Sequence, residues 1–222
     1  MTEEDWDAAR AAHARGDYAN AIGLYRVLAD QGDARAQDNL GVLYENGLGV
    51  PRNYAEAEKW YRRAASQGNA NAQNNLGVMY EHGHGVPKSA AEAVKWYRLG
   101  AEHGDTNAQH NLANQYESGT GIPLNYADAV RWYRKAAERG HPMAQANLGV
   151  MYELGHGVKQ DLVQAQMWFI LSAAVFLASE AKNRGLAIKN RDLLAARMTQ
   201  AQVAEARMLA RQWLPKTPPG RP

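Results

Sequence analysis

The feature that most constrains this chain is a sequence pattern that recurs every 36 residues. Several columns of residues keep this spacing through four copies with no insertion. They are Leu40, Leu76, Leu112 and Leu148; Tyr44, Tyr80, Tyr116 and Tyr152; Trp60, Trp96, Trp132 and Trp168; and the pairs Gly47/Gly49, Gly83/Gly85, Gly119/Gly121 and Gly155/Gly157. A fixed period is the signature of repeat architectures, in which each unit buries its apolar face against its neighbours. The sequence therefore predicts stacked units with a continuous core.

Each copy has the pattern of two helices joined by a glycine-rich loop. In the first copy, Leu40, Leu43 and Tyr44 have the spacing of one helical face. The loop 47–51 then ends that helix, because glycine adopts the left-handed conformation at a helix C-terminus and proline cannot continue a helix. Asn53 is the predicted N-cap of the second helix, and a glycine that ends such a helix occurs four times along the chain. These glycines are Gly32, Gly68, Gly104 and Gly140.

The same residues resemble a known family. From Ala36 the pattern is Ala-Gln-x-Asn-Leu-Gly-x-x-Tyr-Glu-x-Gly-x-Gly-Val-Pro, followed after a short gap by Glu-Ala-x-Lys-Trp-Tyr-Arg-x-Ala-Ala-x-x-Gly. This resembles the Sel1-like repeat, a relative of the tetratricopeptide repeat with a longer loop between its helices, over residues 34–174. The resemblance implies an all-α fold, a right-handed α-α superhelix (solenoid) of stacked antiparallel helix pairs.

The segments outside the repeats are interpreted by the same resemblance. The ending resembles the C-terminal cap found in many bacterial members, and Thr199 and Gln202 fit a capping box for its last helix. The predicted organisation is an N-terminal tetratricopeptide-like helix pair at 1–33, four repeats at 34–178, C-terminal capping helices at 179–214 and a flexible tail at 215–222.

The resemblance also implies where a partner binds, because the first helix of each pair lines the concave face in related repeats. The asparagine column on that face is Asn39, Asn75, Asn111 and Asn147. An amide offers both donors and an acceptor, so this column either holds the backbone of an extended partner or bonds the neighbouring repeat and fixes the stacking. The glutamate column is Glu45, Glu81, Glu117 and Glu153, and it is expected to accept backbone N–H groups of the adjacent loops.

Positions that differ between the copies are expected to determine specificity. Structural positions recur because every unit has the same packing problem, whereas changing positions face solvent or a partner. The predicted partner contacts of this kind are Asp38, Asn74, His110, Asn114, His82 and Ser118. The third repeat is the most polar in these columns, so the preferred polar contacts of the groove are predicted there.

No constellation for catalysis, metal binding or cofactor binding is found in the sequence. Cysteine is absent, which excludes thiolate ligands and nucleophiles. None of the seven histidines forms the His-x-x-x-His spacing of a helical metal site. The glycine pairs lack the third glycine of a dinucleotide-binding fingerprint and follow a helix instead of a strand. The sequence therefore predicts no enzyme and no cofactor.

Charge differs between the two ends of the chain. Residues 1–180 hold 16 basic and 21 acidic side chains, and residues 181–222 hold nine basic and two acidic ones. A basic end suits docking on an acidic partner or surface, and the solvated faces of capping helices give the same pattern. Nucleic acid is not expected as a partner, since the tryptophans and tyrosines are assigned to the core and form no stacking platform.

We therefore interpret the sequence as an adaptor that binds a protein or peptide segment in a concave groove. The alternative is a structural subunit that docks through its convex face or its basic C-terminal cap; the oligomeric state stays open. No secretory signal is recognised, so the cytoplasm is expected for the sequence as written, with export if a signal was removed. Direct membrane insertion is not expected, because the most apolar run, 167–178, is shorter than the roughly 20 residues of a spanning helix and is predicted to be a buried helix.

Overall fold

The computed structural model describes residues 3–175 and 181–213, and every element among them is an α-helix. The helices are α1 (Glu3–Ala14), α2 (Tyr18–Asp30), α3 (Ala34–Asn46), α4 (Tyr54–Ser66), α5 (Ala70–His82), α6 (Ala90–Glu102), α7 (Thr106–Ser118), α8 (Tyr126–Glu138), α9 (Pro142–Leu154), α10 (Leu162–Val175), α11 (Ala181–Ala195) and α12 (Gln200–Trp213). The predicted fold class, an all-α solenoid of stacked antiparallel helix pairs, is confirmed. The predicted tail lies outside the described residues.

Capping side chains account for where several helices begin. Asn53 precedes α4, and its Oδ1 accepts the backbone N–H of Glu56 at 3.1 Å, so the predicted N-cap is confirmed. The capping box of α12 is confirmed as well. Gln202 N donates to Thr199 Oγ1 at 3.2 Å, and Thr199 N donates to Gln202 Oε1 at 2.9 Å. Each bond satisfies a backbone N–H that has no partner within its own helix.

The two glycines of each loop have different roles, as the second repeat illustrates. Gly83 follows α5 with a φ of 78°, in the left-handed conformation that ends many helices. Gly85 has a φ of 71° and also lies against the start of α4, where an added Cβ would be 2.8 Å from the Cβ of Tyr54. The second glycine therefore allows the loop of one repeat to contact the preceding helix pair.

The chain forms two compact units, and the division between them falls within α7. The first unit comprises residues 1–112 and 120–122, and the second comprises residues 113–119 and 123–222. In the first unit, helices α1 to α6 pack in consecutive order. The rings of Tyr25, Tyr61 and Tyr97 are in its core, each at most 2% exposed. Gly41 and Gly77 leave room for two of these rings, because a Cβ at either position would lie 2.4 Å from a ring carbon.

In the second unit α10 is the central helix. Helices α9, α11 and α12 all pack against α10, and α8 packs against α9. Met167 and Phe169 are consequently buried, and the predicted buried helix is confirmed for residues 167–173, in which Ile170 is half-buried, whereas Ala174 and Val175 are exposed. Trp168 meets Trp213 of α12 with ring centroids 5.0 Å apart. Among residues 3–175 and 181–213, no helix combines the length and the apolar character needed to cross a membrane.

Candidate partner-binding face

A glutamine column on the first helices fixes how successive helices meet. The Nε2 atoms of Gln37, Gln73, Gln109 and Gln145 donate to the carbonyls of Ala29, Ala65, Ala101 and Ala137 at 3.0–3.2 Å. These carbonyls belong to the last turn of the preceding helix, and each also accepts the backbone N–H of the glycine three residues later. This column was missed in the sequence, where the available signal was a glutamine at the same position of all four copies.

The asparagine column connects neighbouring repeats through side chains. Asn75 Nδ2 donates to Asp38 Oδ1 at 3.1 Å, and Asn111 Nδ2 donates to Asn74 Oδ1 at 2.9 Å. Asn39 donates instead to a carbonyl of its own helix at 2.9 Å. Asn75 and Asn111 make no other hydrogen bond to any described residue, so each retains an acceptor and one N–H.

The third repeat makes the same connection with different residues. His110 occupies the position of the acceptors in the first two repeats and is half-buried. Asn147 donates at 3.2 Å to Asn114 Oδ1, one helical turn further along. The hydroxyl of Tyr133, whose single hydrogen is also directed to Glu117, lies 2.5 Å from Asn114 Oδ1, so this predicted partner contact has contacts within the second unit. Ser118 is exposed at the end of α7.

The glutamate column accepts hydrogen bonds from side chains of the following helix. The pairs are Tyr61–Glu45 at 2.6 Å, Tyr97–Glu81 at 2.5 Å and Tyr133–Glu117. In the fourth repeat Phe169 has no hydroxyl, and Glu153 accepts Arg197 Nη1 at 2.6 Å. The expected loop N–H donors were therefore wrong for Glu45 and Glu117. Burial, with the adjacent carboxylate, raises the pKa of each of these tyrosine hydroxyls and keeps it a neutral donor.

The loop histidines contact the preceding helix pair. His84 stacks on Tyr54 with centroids 4.7 Å apart, and His156 stacks on Tyr126 at 4.6 Å. His82 is exposed, and its ring centroid lies 5.5 Å from that of His84. In the part of the chain that the structure describes, no group of three potential ligands could hold a metal ion.

An open cavity of about 560 Å³ lies on the first unit, between the first helices of successive pairs. We call it the Asp38 cavity. Its lining comes from α1, α3 and the start of α5, and consists of Glu3, Trp6, Asp7, Arg10, Arg35, Asp38, Asn39, Asn69 and Asn71. The cavity brings together two predicted partner contacts, Asp38 and Asn39, with residues of α1 that were not predicted. The missed residues have no counterpart in the repeats, so no column could have indicated them.

Asp38 is the buried carboxylate of this cavity, at 9% exposure. Burial raises its pKa to about 7, and the charges of Asp105 and Glu45 act in the same direction. The hydrogen bond from Asn75 opposes this shift. Asp38 therefore carries a negative charge at neutral pH only at an energetic cost.

Asp33, the N-cap of α3, shows the opposite behaviour. Burial alone would raise its pKa, but hydrogen bonds from Arg35, Trp6 and the backbone of α3 outweigh burial and lower the pKa to about 2. Arg35 Nη2 and Trp6 Nε1 each lie 3.0 Å from Asp33 Oδ2. The guanidinium of Arg35 also lies 4.4 Å from the centre of the Trp6 ring. The positive charge of Arg35 is thus paired with Asp33.

Comparison with known proteins agrees with this architecture. The Sel1 repeat model matches residues 34–69, 70–105, 106–141 and 142–174. A crystal structure of a Sel1 repeat protein from Oxalobacter formigenes has a TM-score of 0.69 and 30% sequence identity, covering 92% of this chain and 98% of that chain.

Two further solved structures share the fold. A protective antigen of uropathogenic Escherichia coli with an SLR fold has a TM-score of 0.53 and 30% identity, covering 90% of this chain and 49% of the antigen. An immunity protein from Pseudomonas aeruginosa has a TM-score of 0.56 and 16% identity, covering 87% of this chain and 83% of that chain, a likeness of fold alone. No significantly similar sequence is found among curated proteins.

Proposed function

Because this chain belongs to the Sel1 repeat family, whose members are generally protein-interaction scaffolds and typically not catalysts, we propose that it is an adaptor that binds a partner's segment across the Asp38 cavity. The observation that carries this proposal is a concave, polar lining drawn from the first helices of three successive pairs. Asn39 and Asn71 add amide groups to that lining.

The proposed mechanism is capture of an extended segment by amides that the fold already orients. The hydrogen bond from Asn75 to Asp38 fixes the amide of Asn75, while its Oδ1 and second N–H are not used by described residues. A side-chain amide can pair with both the N–H and the C=O of a peptide backbone. A group held in place before binding loses little conformational entropy when the partner arrives, which favours affinity.

The predicted contacts outside the Asp38 cavity remain part of the proposal. His110, Ser118, His82 and Asn147 are proposed as additional contacts of the same partner. Asn114 is less suited to this role, because its Oδ1 accepts the amide of Asn147 and also lies within hydrogen-bond distance of the Tyr133 hydroxyl.

Site-specific photo-crosslinking in the cell of origin tests the proposal without disturbing the repeat contacts. A benzophenone side chain is placed at Asn71, which is exposed, lines the cavity and makes no hydrogen bond to described residues. The matched control carries the same group at Ala55, which is exposed on a second helix and lies outside the cavity lining. Alanine at Asn75 or Asn111 is a poorer test, because it removes a hydrogen bond between repeats.

We expect one discrete protein adduct from position 71 and none from position 55. A purified peptide from that adduct should compete for the crosslink. Equal adducts from both positions, or no adduct from position 71, would refute binding through this cavity.

The C-terminal cap is the second candidate for docking, because apolar side chains are exposed there. Leu186, Leu193 and Met208 are 55%, 58% and 51% exposed on α11 and α12. Exposed apolar groups beside basic side chains suit a protein interface. A benzophenone at Met208 that gives an adduct, lost when Arg207 and Arg211 are changed to Glu, would favour this alternative.

A further inference from the structure

We propose that the Asp38 cavity recognises a lysine or arginine side chain of the partner segment, whose cationic group pairs with the Asp38 carboxylate. This inference rests on the proposed function and specifies the chemistry of the same site. It follows from a comparison between two repeats, from the contacts of Asp38 and from the charge around the cavity.

The stacking of the repeats does not need a carboxylate at position 38. Asn74 is the equivalent residue of the next repeat, and its Oδ1 accepts Asn111 as Asp38 accepts Asn75. Both acceptors are 9% exposed. An asparagine therefore makes the same connection in the same degree of burial without a charge. A buried carboxylate where a neutral amide suffices is destabilising unless its charge has a counterpart.

No described residue supplies a positive charge that pairs with the Asp38 carboxylate. Asp38 Oδ1 accepts the amide of Asn75, and Oδ2 accepts no hydrogen bond from a described residue. Arg35 also lines the cavity, but its guanidinium is paired with Asp33 at 3.0 Å. The charges that raise the pKa of Asp38, those of Asp105 and Glu45, are both negative. The Asp38 cavity thus offers a buried acceptor that a cation from outside would satisfy.

The residues around the Asp38 cavity carry a net negative charge. Glu3 and Asp7 stand with Arg10 among the exposed residues of α1 that line the cavity. Residues 1–112 as a whole carry 15 acidic and 11 basic side chains. A net negative field around a cleft raises the local concentration of cations and disfavours anions. A basic segment is therefore favoured over an acidic one.

Nuclear magnetic resonance titrations of the full chain with two small probes test this inference. The probes are N-acetyl-lysine-N-methylamide and N-acetyl-norleucine-N-methylamide, which share their backbone and alkyl stem and differ in the ammonium group. The indole N–H of Trp6, which lies on the cavity and donates to Asp33, is the reporter resonance together with the backbone amides of Asp38 and Asn39.

We expect the lysine probe to bind about tenfold more tightly than the norleucine probe, as one charge-assisted hydrogen bond would give. Asp38→Asn should abolish this difference, and the fold of that variant is expected to persist because Asn74 makes the same hydrogen bond. Asp30→Asn removes the same charge from an exposed position outside the cavity lining and should leave the preference unchanged.

Three results would overturn the inference: equal affinity of the two probes, absence of shifts with the lysine probe at its solubility limit, or a lysine preference that persists in Asp38→Asn. The first two need only the unaltered protein. Crosslinking from position 71 is independent of the charge of the probe. An adduct there without a lysine preference would leave the adaptor proposal standing and remove only the proposed chemistry.

Discussion

Asp38 gives the most quantitative prediction, because its neutral counterpart already occurs one repeat later. In Asp38→Asn the bond from Asn75 is retained and the buried charge is removed. The pKa of Asp38 is raised from 3.8 to about 7 in the folded chain. A shift of this size corresponds to about 4 kcal/mol between the two protonation states. Water that enters the open cavity lowers this figure, so about 4 kcal/mol is the upper limit of the effect.

The sign of the pH dependence follows from proton linkage. Between pH 3.8 and about 7 the folded state keeps the Asp38 proton while the unfolded state has lost it. The contribution of Asp38 to the free energy of unfolding therefore falls as pH rises through this window. Asp38→Asn has no such proton to lose. It should match the wild type near pH 4 and be more stable above pH 7, by at most about 4 kcal/mol.

Urea unfolding followed by circular dichroism at several pH values between 4 and 8.5 measures this difference. Carboxylates that do not interact with Asp38 affect both proteins alike, so their contributions cancel in the comparison. Asp30→Asn is the matched control, because it removes the same charge from an exposed position outside the cavity lining. A difference for Asp38→Asn that is flat across the window would refute the reasoning about burial at this site.

Three further predictions concern the contacts between repeats and use the same urea assay. Tyr61→Phe should lower the free energy of unfolding by about 1.5–3 kcal/mol, because Glu45 loses its donor, and a cost below about 0.5 kcal/mol would contradict that role. Gly85→Ala should lower the free energy of unfolding more than Gly32→Ala, because both glycines have a positive φ but only at Gly85 would an added Cβ have neighbours within 4 Å. Equal losses would show that backbone conformation alone determines the effect. Arg197→Ala should cost less than about 1 kcal/mol, because 61% of that side chain is exposed, and a larger loss would mean that the cap depends on this ion pair.

The fold was predictable because its determinants recur. Glycine stops, helix caps and the apolar period were each present four times, so the helix-loop-helix unit and the N-cap at Asn53 were confirmed. The capping box at Thr199 occurs once and was confirmed from its own local pattern. These features depend on residues that are close together in the sequence, so they can be predicted from the sequence alone. The division of the chain within α7 had no such signal, because it depends on how densely helices contact each other in three dimensions.

The site was less predictable, because the partner of a polar side chain depends on tertiary distance. Glu45 lies beside a loop in the sequence and was assigned to that loop, yet its donor is Tyr61 on the following helix. The cavity also includes Trp6 and Arg10 of α1, which no repeat reproduces. Sequence spacing within one repeat thus identified the polar columns and did not identify what they bond.

The repeats also serve as internal controls for deciding which departures from the pattern concern function. Where His110 replaces an acceptor, Asn114 accepts Asn147 in its place. Where Phe169 lacks a hydroxyl, Arg197 supplies the donor for the glutamate. These departures are compensated within the chain, so they do not by themselves indicate a ligand.

Asp38 is a departure of another kind. It makes the connection that Asn74 makes, adds a charge, and has no counter-charge among the described residues. Stacking explains its hydrogen bond and not its charge. Residues that reduce stability and have no structural role are expected at functional sites, where a ligand pairs with the group that has no partner in the free protein. The chain compensates for the changes at His110 and Phe169 but does not compensate for the charge of Asp38. Asp38 is therefore the residue at which the proposed adaptor function is best tested.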